Sequence, residues 1–176
     1  LKKQKKVNPY VFNNYLSKIL TKQSVIISST GAHLTWLLQA FKIKYGQKLF
    51  SAFGNSPMGY ALPASIGASL FINKKKIICI DGDGSLLLSI QDLSTVKKLN
   101  LPIKIFILNN NGYGIIKQFQ ELYLNKKYQA TGEEVSVKNF RKISSGFGIN
   151  YNLIKNNTQL KVLKKIISSN KPEIIE

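Results

Sequence analysis

Asp83 stands in the triplet Gly82-Asp83-Gly84, followed by Ser85, just after the apolar run Ile77-Ile78-Cys79-Ile80. Flanking glycines let the backbone turn tightly and let a ligand approach its N–H groups. A carboxylate at such a place repels a bare phosphate. It becomes useful when a divalent cation lies between the two, and magnesium suits the position because it takes oxygen ligands and shares them with substrate phosphates. A second oxygen is expected from the end of a neighbouring strand. Asn110 follows the continuous apolar run 103–108 and lies 27 residues after Asp83, about one helix and one strand on. Its amide oxygen suits a hard cation and adds no charge, and the open turn at Gly112 can offer a backbone carbonyl.

Other chemistries fail on their spacing. A calcium loop needs glycine where Leu86 stands. A dinucleotide fingerprint needs glycine at Leu87 or Lys117, and no Gly-Lys-Ser/Thr phosphate loop exists. His33 is the only histidine, so serine-hydrolase and zinc patterns are absent. Cys79 is the only cysteine and lies in an apolar run, which reads as a buried thiol and points to the cytoplasm.

The elements around these residues alternate. Strands are predicted at 24–28, 76–80, 103–108, 151–154 and 173–175. Helices are predicted at 32–42, 62–71, 89–99 (Ser89 as cap, Asp92 as its weak partner), 114–124, 137–146 and 158–168. Asp81 reads as a loop-end charge. This order predicts an α/β fold, a doubly wound and mostly parallel sheet with helices on both faces. Ligands of such sheets sit beyond the carboxyl ends of the strands.

Composition narrows the partners. The chain has 176 residues, 44% hydrophobic and 19% charged, enough for one folded domain. The net charge of +18 invites a nucleic-acid reading, but Arg141 is the only arginine among 26 basic residues. Readers of nucleic acid lean on arginine for bidentate contacts, and the lysines are spread along the chain. They read as a solvated surface, with no nucleic acid and no membrane as partner, since no apolar run reaches about 18 residues. The chain opens on Leu1, its one methionine is Met58, and it stops within a predicted strand. It therefore reads as a piece of a longer protein, with 1–10 a linker remnant and 11–176 the domain.

The stretch from GDGS to the Asn-rich turn, GDGSLLLSIQDLSTVKKLNLPIKIFILNN, resembles the thiamine-diphosphate motif that opens with GDG and closes with NN. Three further segments, GAHLTWLLQAF, MGYALPASIGASL and GIIKQFQELYLNKKYQAT, resemble the acetolactate synthase-like branch of the thiamine-diphosphate enzymes. The similarity runs from about Asn8 to the C-terminus.

The resemblance implies thiamine diphosphate and Mg2+ as cofactors. Asp83, Asn110 and the Gly112 carbonyl would hold the metal. Gly82, Gly84 and Ser85 would hold the diphosphate, with Gly31, Ala32 and His33 beside it. The backbone near Ser56 would meet the aminopyrimidine, Met58 would be the apolar wedge that bends the cofactor, and Ile115 would line the substrate side. The departures are Ser56-Pro57 before Met58, Ala32 where glutamine is common, Ile115 for methionine and Phe119 for tryptophan. They touch the substrate side more than the cofactor.

The implied activity is decarboxylation of a pyruvate-like 2-keto acid and transfer of the remaining unit to an acceptor. The activating glutamate would come from the pyrimidine-binding domain of a partner subunit in a homo-oligomer (a dimer or tetramer). FAD could occupy a middle domain outside this chain. The isolated piece is expected to be inactive. The alternatives are another thiamine-diphosphate lyase or oxidase, a catalytically dead homologue kept for assembly, and, last, a basic nucleic-acid-binding domain.

Overall fold

The computed structural model describes residues 6–73, 75–137 and 139–176. Residues 1–5 of the expected linker, Lys74, and residue 138 of the predicted 137–146 helix lie outside the described residues.

Helix α1 (Pro9–Ile19) opens the fold, so Pro9 and Tyr10 form a helical turn where a linker end was expected. The Asn8 side chain caps it by accepting from the Tyr10 and Val11 N–H groups, and Pro9 occupies the first turn, where no N–H is needed. Then come β1 (Val25–Ser28), α2 (Ala32–Ala40), β2 (Lys48–Phe50), α3 (Ala61–Phe71) and β3 (Ile77–Gly82). A short helix α4 (Asp83–Leu86) runs through a 3-10 segment (Leu87–Asp92) into α5 (Leu93–Lys98). The chain finishes with β4 (Ile103–Leu108), α6 (Gly114–Tyr123), α7 (Phe140–Gly146), β5 (Asn150–Asn152), α8 (Leu163–Ser168) and β6 (Glu173–Ile175).

The six strands form one sheet in the order β2-β1-β3-β4-β6-β5, with every pairing parallel. The chain moves outward from β1 to β2, then returns to place β3 on the other side of β1. The gap between β1 and β3 is therefore the point where the strand order reverses, and ligands favour that crevice.

Side-chain alternation fills both faces. Ile27, Cys79, Ile105 and Ile107 pack against Leu62 of α3, Leu93 and Val96 of α5 and Phe140 of α7. Ile26, Ile78, Ile80 and Phe106 pack against Leu16 of α1, Leu37 of α2 and Leu163 of α8. With helices on both faces, central strands become near-continuous apolar runs, which is why β4 reads as one.

Lysines contribute at element ends. Lys44 Nζ donates to the Lys18 and Leu20 carbonyls at the end of α1, and Lys76 Nζ to the Ser168 carbonyl at the end of α8. Cations are favoured at helix C-termini, where carbonyls lack helical partners. Lys104 is wholly buried on β4 opposite Glu173. Its Nζ donates to the Lys171 carbonyl at 2.7 Å and stands 3.7 Å from Glu173 Oε1, while Glu173 Oε2 accepts the Asn152 amide at 2.9 Å.

Two expectations are corrected. Strand β3 runs on through Asp81 and Gly82, because these pair with Ile107 and Leu108 of β4. Helical structure then starts at Asp83, not at Ser89. Ser89 lies at a kink with non-helical angles, and among the described residues its buried hydroxyl has no hydrogen-bond partner and Asp92 makes no side-chain cap bond to α5.

Candidate functional site

Three strand ends lie side by side at the carboxyl edge of the sheet: the turn Ser29–Gly31 after β1, Gly82 closing β3 with Asp83–Ser85 after it, and the turn Asn109–Gly112 after β4. Asp83 is almost fully buried where the second meets the third. Its Oδ2 accepts the Gly112 N–H at 2.9 Å and the Ser136 hydroxyl at 2.5 Å. Its Oδ1 accepts the Asn110 N–H at 3.4 Å.

The Asn110 side-chain oxygen stands 3.0 Å from Asp83 Oδ1 and 2.8 Å from the Gly112 carbonyl oxygen. Turned over, the amide donates its NH2 group to both. With the oxygen inward, three acceptors converge with no proton between them. That arrangement suits a cation; without one, the turned-over amide satisfies both acceptors. Oxygens at right angles around magnesium, each about 2.1 Å from the ion, lie about 3.0 Å apart. The spacings at Asn110 match that figure, so this donor set fits a magnesium ion.

Gly112 belongs here for a steric reason. Its φ is +147°, and a Cβ would fall 2.3 Å from the Thr131 carbonyl oxygen. Gly84 is also constrained, since a Cβ would strike the Tyr113 ring at 2.3 Å.

On the β1 side, the His33 ring is buried between two glycines. A Cβ on Gly31 would meet the ring at 2.7 Å and one on Gly82 at 3.0 Å. His33 Nε2 lies 3.0 Å from the Ser29 carbonyl, to which it donates, and 3.7 Å from Asp81 Oδ1. Burial holds the His33 pKa down at about 4, so the ring is neutral near pH 7.

Asp81 is fully buried, not the loop-end charge expected. Its Oδ1 accepts the Gly82 N–H at 2.9 Å, while Oδ2 has no hydrogen-bond partner among the described residues. Burial pushes its carboxyl up to about 7, and the nearby Ser85 hydroxyl pulls the other way. Cys79 is buried on β3 and burial raises its pKa, which fits the inert thiol expected.

The other anticipated residues lie at varying distances from this centre. Ala32 is close, its Cβ 4.0 Å from where a Cβ on Gly114 would sit. Met58 is half-buried, and the next residue, Gly59, donates its N–H to Ser85 Oγ at 2.9 Å, which ties that loop to the site. Ser56 is exposed, with φ +44°, and its hydroxyl turns back to the Phe53 carbonyl. Ile115 is 46% exposed on α6, in an apolar row with Phe119 and Leu122 that faces outward.

Ser136, Ser29 and Tyr113 were not anticipated. Ser136 lies 53 residues from Asp83 in a polar loop, and nothing local in the sequence marks it.

A cavity of about 590 Å3 adjoins the β4 turn and is lined by Trp36, Asn109, Asn110, Lys155, Leu160 and Glu176, among others. It lies on the β6 side of the turn.

Residues 29–176 match the model of the thiamine pyrophosphate enzyme C-terminal TPP-binding domain. The chain belongs to that family. This TPP-binding domain is similar to the acetolactate synthase large subunit of Cyanidium caldarium, at 33% identity over 164 residues covering 93% of this chain and 28% of that protein. It is 31% identical over 140 residues to the isozyme 1 large subunit of Escherichia coli K12, covering 80% and 25%. The chain thus spans about a quarter of the length of these curated relatives. In fold, the TPP-binding domain matches a thiamine diphosphate-dependent 4-hydroxybenzoylformate decarboxylase of Rhodococcus jostii RHA1. The TM-score is 0.87 at 18% identity, over all of this chain and 33% of that one.

Proposed function

We propose that this chain is the cofactor-anchoring domain of an acetolactate synthase-like enzyme, holding thiamine diphosphate through Mg2+ for decarboxylation of a 2-keto acid and transfer to an acceptor. The observation that carries the reading is the convergence of Asp83 Oδ1, the Asn110 amide and the Gly112 carbonyl at the carboxyl ends of β3 and β4, next to the reversal point of the sheet.

When bound, thiamine diphosphate supplies the nucleophilic carbon and the electron sink that the decarboxylation requires. The chain's own residues bind and orient. Asp83 Oδ1, the Asn110 oxygen and the Gly112 carbonyl hold the metal. The Gly112 N–H and Ser136 hydroxyl occupy Asp83 Oδ2, while Oδ1 accepts only the long Asn110 N–H bond of 3.4 Å and keeps a lone pair for the ion. First-turn N–H groups have no partners within their own helix, so those of Ala32 and Gly84 are the donors offered to the diphosphate, where helix N-termini favour anions. His33, neutral and wedged between Gly31 and Gly82, fixes the spacing of the two turns. Met58 supports the cofactor from the loop tied to Ser85, the backbone near Ser56 meets the aminopyrimidine, and Ile115 lies toward the substrate.

The activating glutamate and the pyrimidine-binding surface belong to a domain outside this chain, brought by a second subunit. Calorimetry on the full-length protein tests the anchor. Thiamine diphosphate is expected to bind only with Mg2+, and Asp83→Ala is expected to abolish that binding. Unchanged affinity in Asp83→Ala sinks the assignment.

A further inference from the structure

The Ser85 hydroxyl is already engaged within the protein. Ser85 Oγ lies 2.7 Å from Ser29 Oγ and accepts the Gly59 N–H at 2.9 Å. Ser29 is fully buried and Ser85 is 4% exposed. A serine hydroxyl has one proton and two lone pairs. The Gly59 N–H takes one lone pair, and the bond to Ser29 takes either the proton or the other.

Gly59 is fixed by a second feature as well. Its φ is +75°, and a Cβ there would stand 2.9 Å from Leu88 Cβ and 3.5 Å from the Ser85 carbonyl oxygen. The backbone that follows Met58 therefore lies flush on the segment 85–88 and is held there by one hydrogen bond. Three pieces of chain far apart in sequence share that single hydroxyl: the end of β1, the first turn after β3, and the loop leading into α3.

We infer that Ser29 and Ser85 form a positioning pair whose joined hydroxyls seat the loop carrying Met58. Through that link Ser85 acts on the cofactor by way of Gly59 and Met58. The inference rests on the cofactor-anchoring reading for its effect on turnover, and on geometry alone for the link itself.

The test uses the full-length protein with Ser29→Ala, Ser85→Ala and Ser85→Thr. Amide exchange at Gly59 reads the link without any activity: protection is expected in the parent and in Ser85→Thr, and lost in Ser85→Ala. In turnover, Ser29→Ala and Ser85→Ala are each expected to lower kcat about tenfold, the scale of one lost hydrogen bond. The thiamine diphosphate concentration for half-maximal activity is expected to stay within about twofold, and Ser85→Thr to keep most of kcat. If Ser85→Ala fails to fold, Ser29→Ala carries the test. The inference is overturned if Ser85→Ala weakens cofactor affinity tenfold while Ser29→Ala leaves kcat intact, or if Gly59 exchanges equally fast in parent and Ser85→Ala. A parent protein that binds no thiamine diphosphate with Mg2+ sinks the functional reading instead, and leaves Gly59 protection as the test of the link.

Discussion

The Asn110 side-chain amide stands 3.0 Å from Asp83 Oδ1, across the ends of neighbouring strands. The pair holds its place because the other carboxylate oxygen is tied by the Gly112 N–H and the Ser136 hydroxyl. Ser136 touches Asp83 on the side away from Asn110, so it orients the acid without competing for an ion. Hydrogen bonds to charged groups are worth about 1.5–3 kcal/mol. Ser136→Ala is expected to raise the Mg2+ concentration for half-maximal cofactor binding about tenfold and to leave the fold intact. Fluorescence titration with Mg2+ measures this, and an unchanged midpoint counts against the orienting role.

His33 and Gly82 make a second pair open to measurement. Gly82 has φ −93°, which any residue can adopt, so the cost of Gly82→Ala is contact with the His33 ring at 3.0 Å and not backbone strain. Gly82→Ala is expected to cost about 1–3 kcal/mol, the range for overpacking. In the His33→Ala background the same change is expected to cost much less. Urea unfolding of the four proteins gives the coupling, expected at about 0.5–2 kcal/mol. Strict additivity would falsify the wedge geometry.

Lys104 gives a pH dependence. Burial lowers its pKa from 10.5 to about 8, while Glu173 pulls the other way. Between those two values the unfolded chain keeps a proton that the native chain has released. Stability contributed by this group therefore rises with pH across the window from about 8 to 10.5 and is flat below it. Other groups titrate in that range, so the comparison is with Lys104→Met. The parent is expected to gain on the variant, on the order of 1–3 kcal/mol, as pH rises through the window. Urea midpoints from pH 7 to 10.5 provide the check, and a constant difference refutes the shift.

The central strands and the two chemical turns were legible in the sequence because their signals are local. A strand covered on both faces must be apolar throughout, and Ile103–Leu108 is nearly so. Gly82-Asp83-Gly84 and the Asn109–Gly112 turn carry their residue types at a spacing that one helix and one strand impose. The missed pieces depend on distant partners. β2 has only three residues, two of them exposed, at the sheet edge, and it exists because Val25–Ile27 is there to pair with it. Asp81 looked like a solvated loop charge until its pairing with Ile107 drew it into the strand. Ser136 and Ser29 reach the site only through tertiary packing. α1 does carry a local signal: Asn8 followed by Pro9, with Phe12 and Leu16 four residues apart, is a capped amphipathic start.

The chain has one methionine and one tryptophan. Met58 lies next to Gly59, the residue tied to Ser85, and Trp36 lines the cavity beside the β4 turn. A sample labelled with 13C in the methionine methyl group therefore carries a single reporter resonance on that loop. Tryptophan emission likewise arises from one indole near the carboxyl edge of the sheet. For this domain, neither spectrum requires assignment.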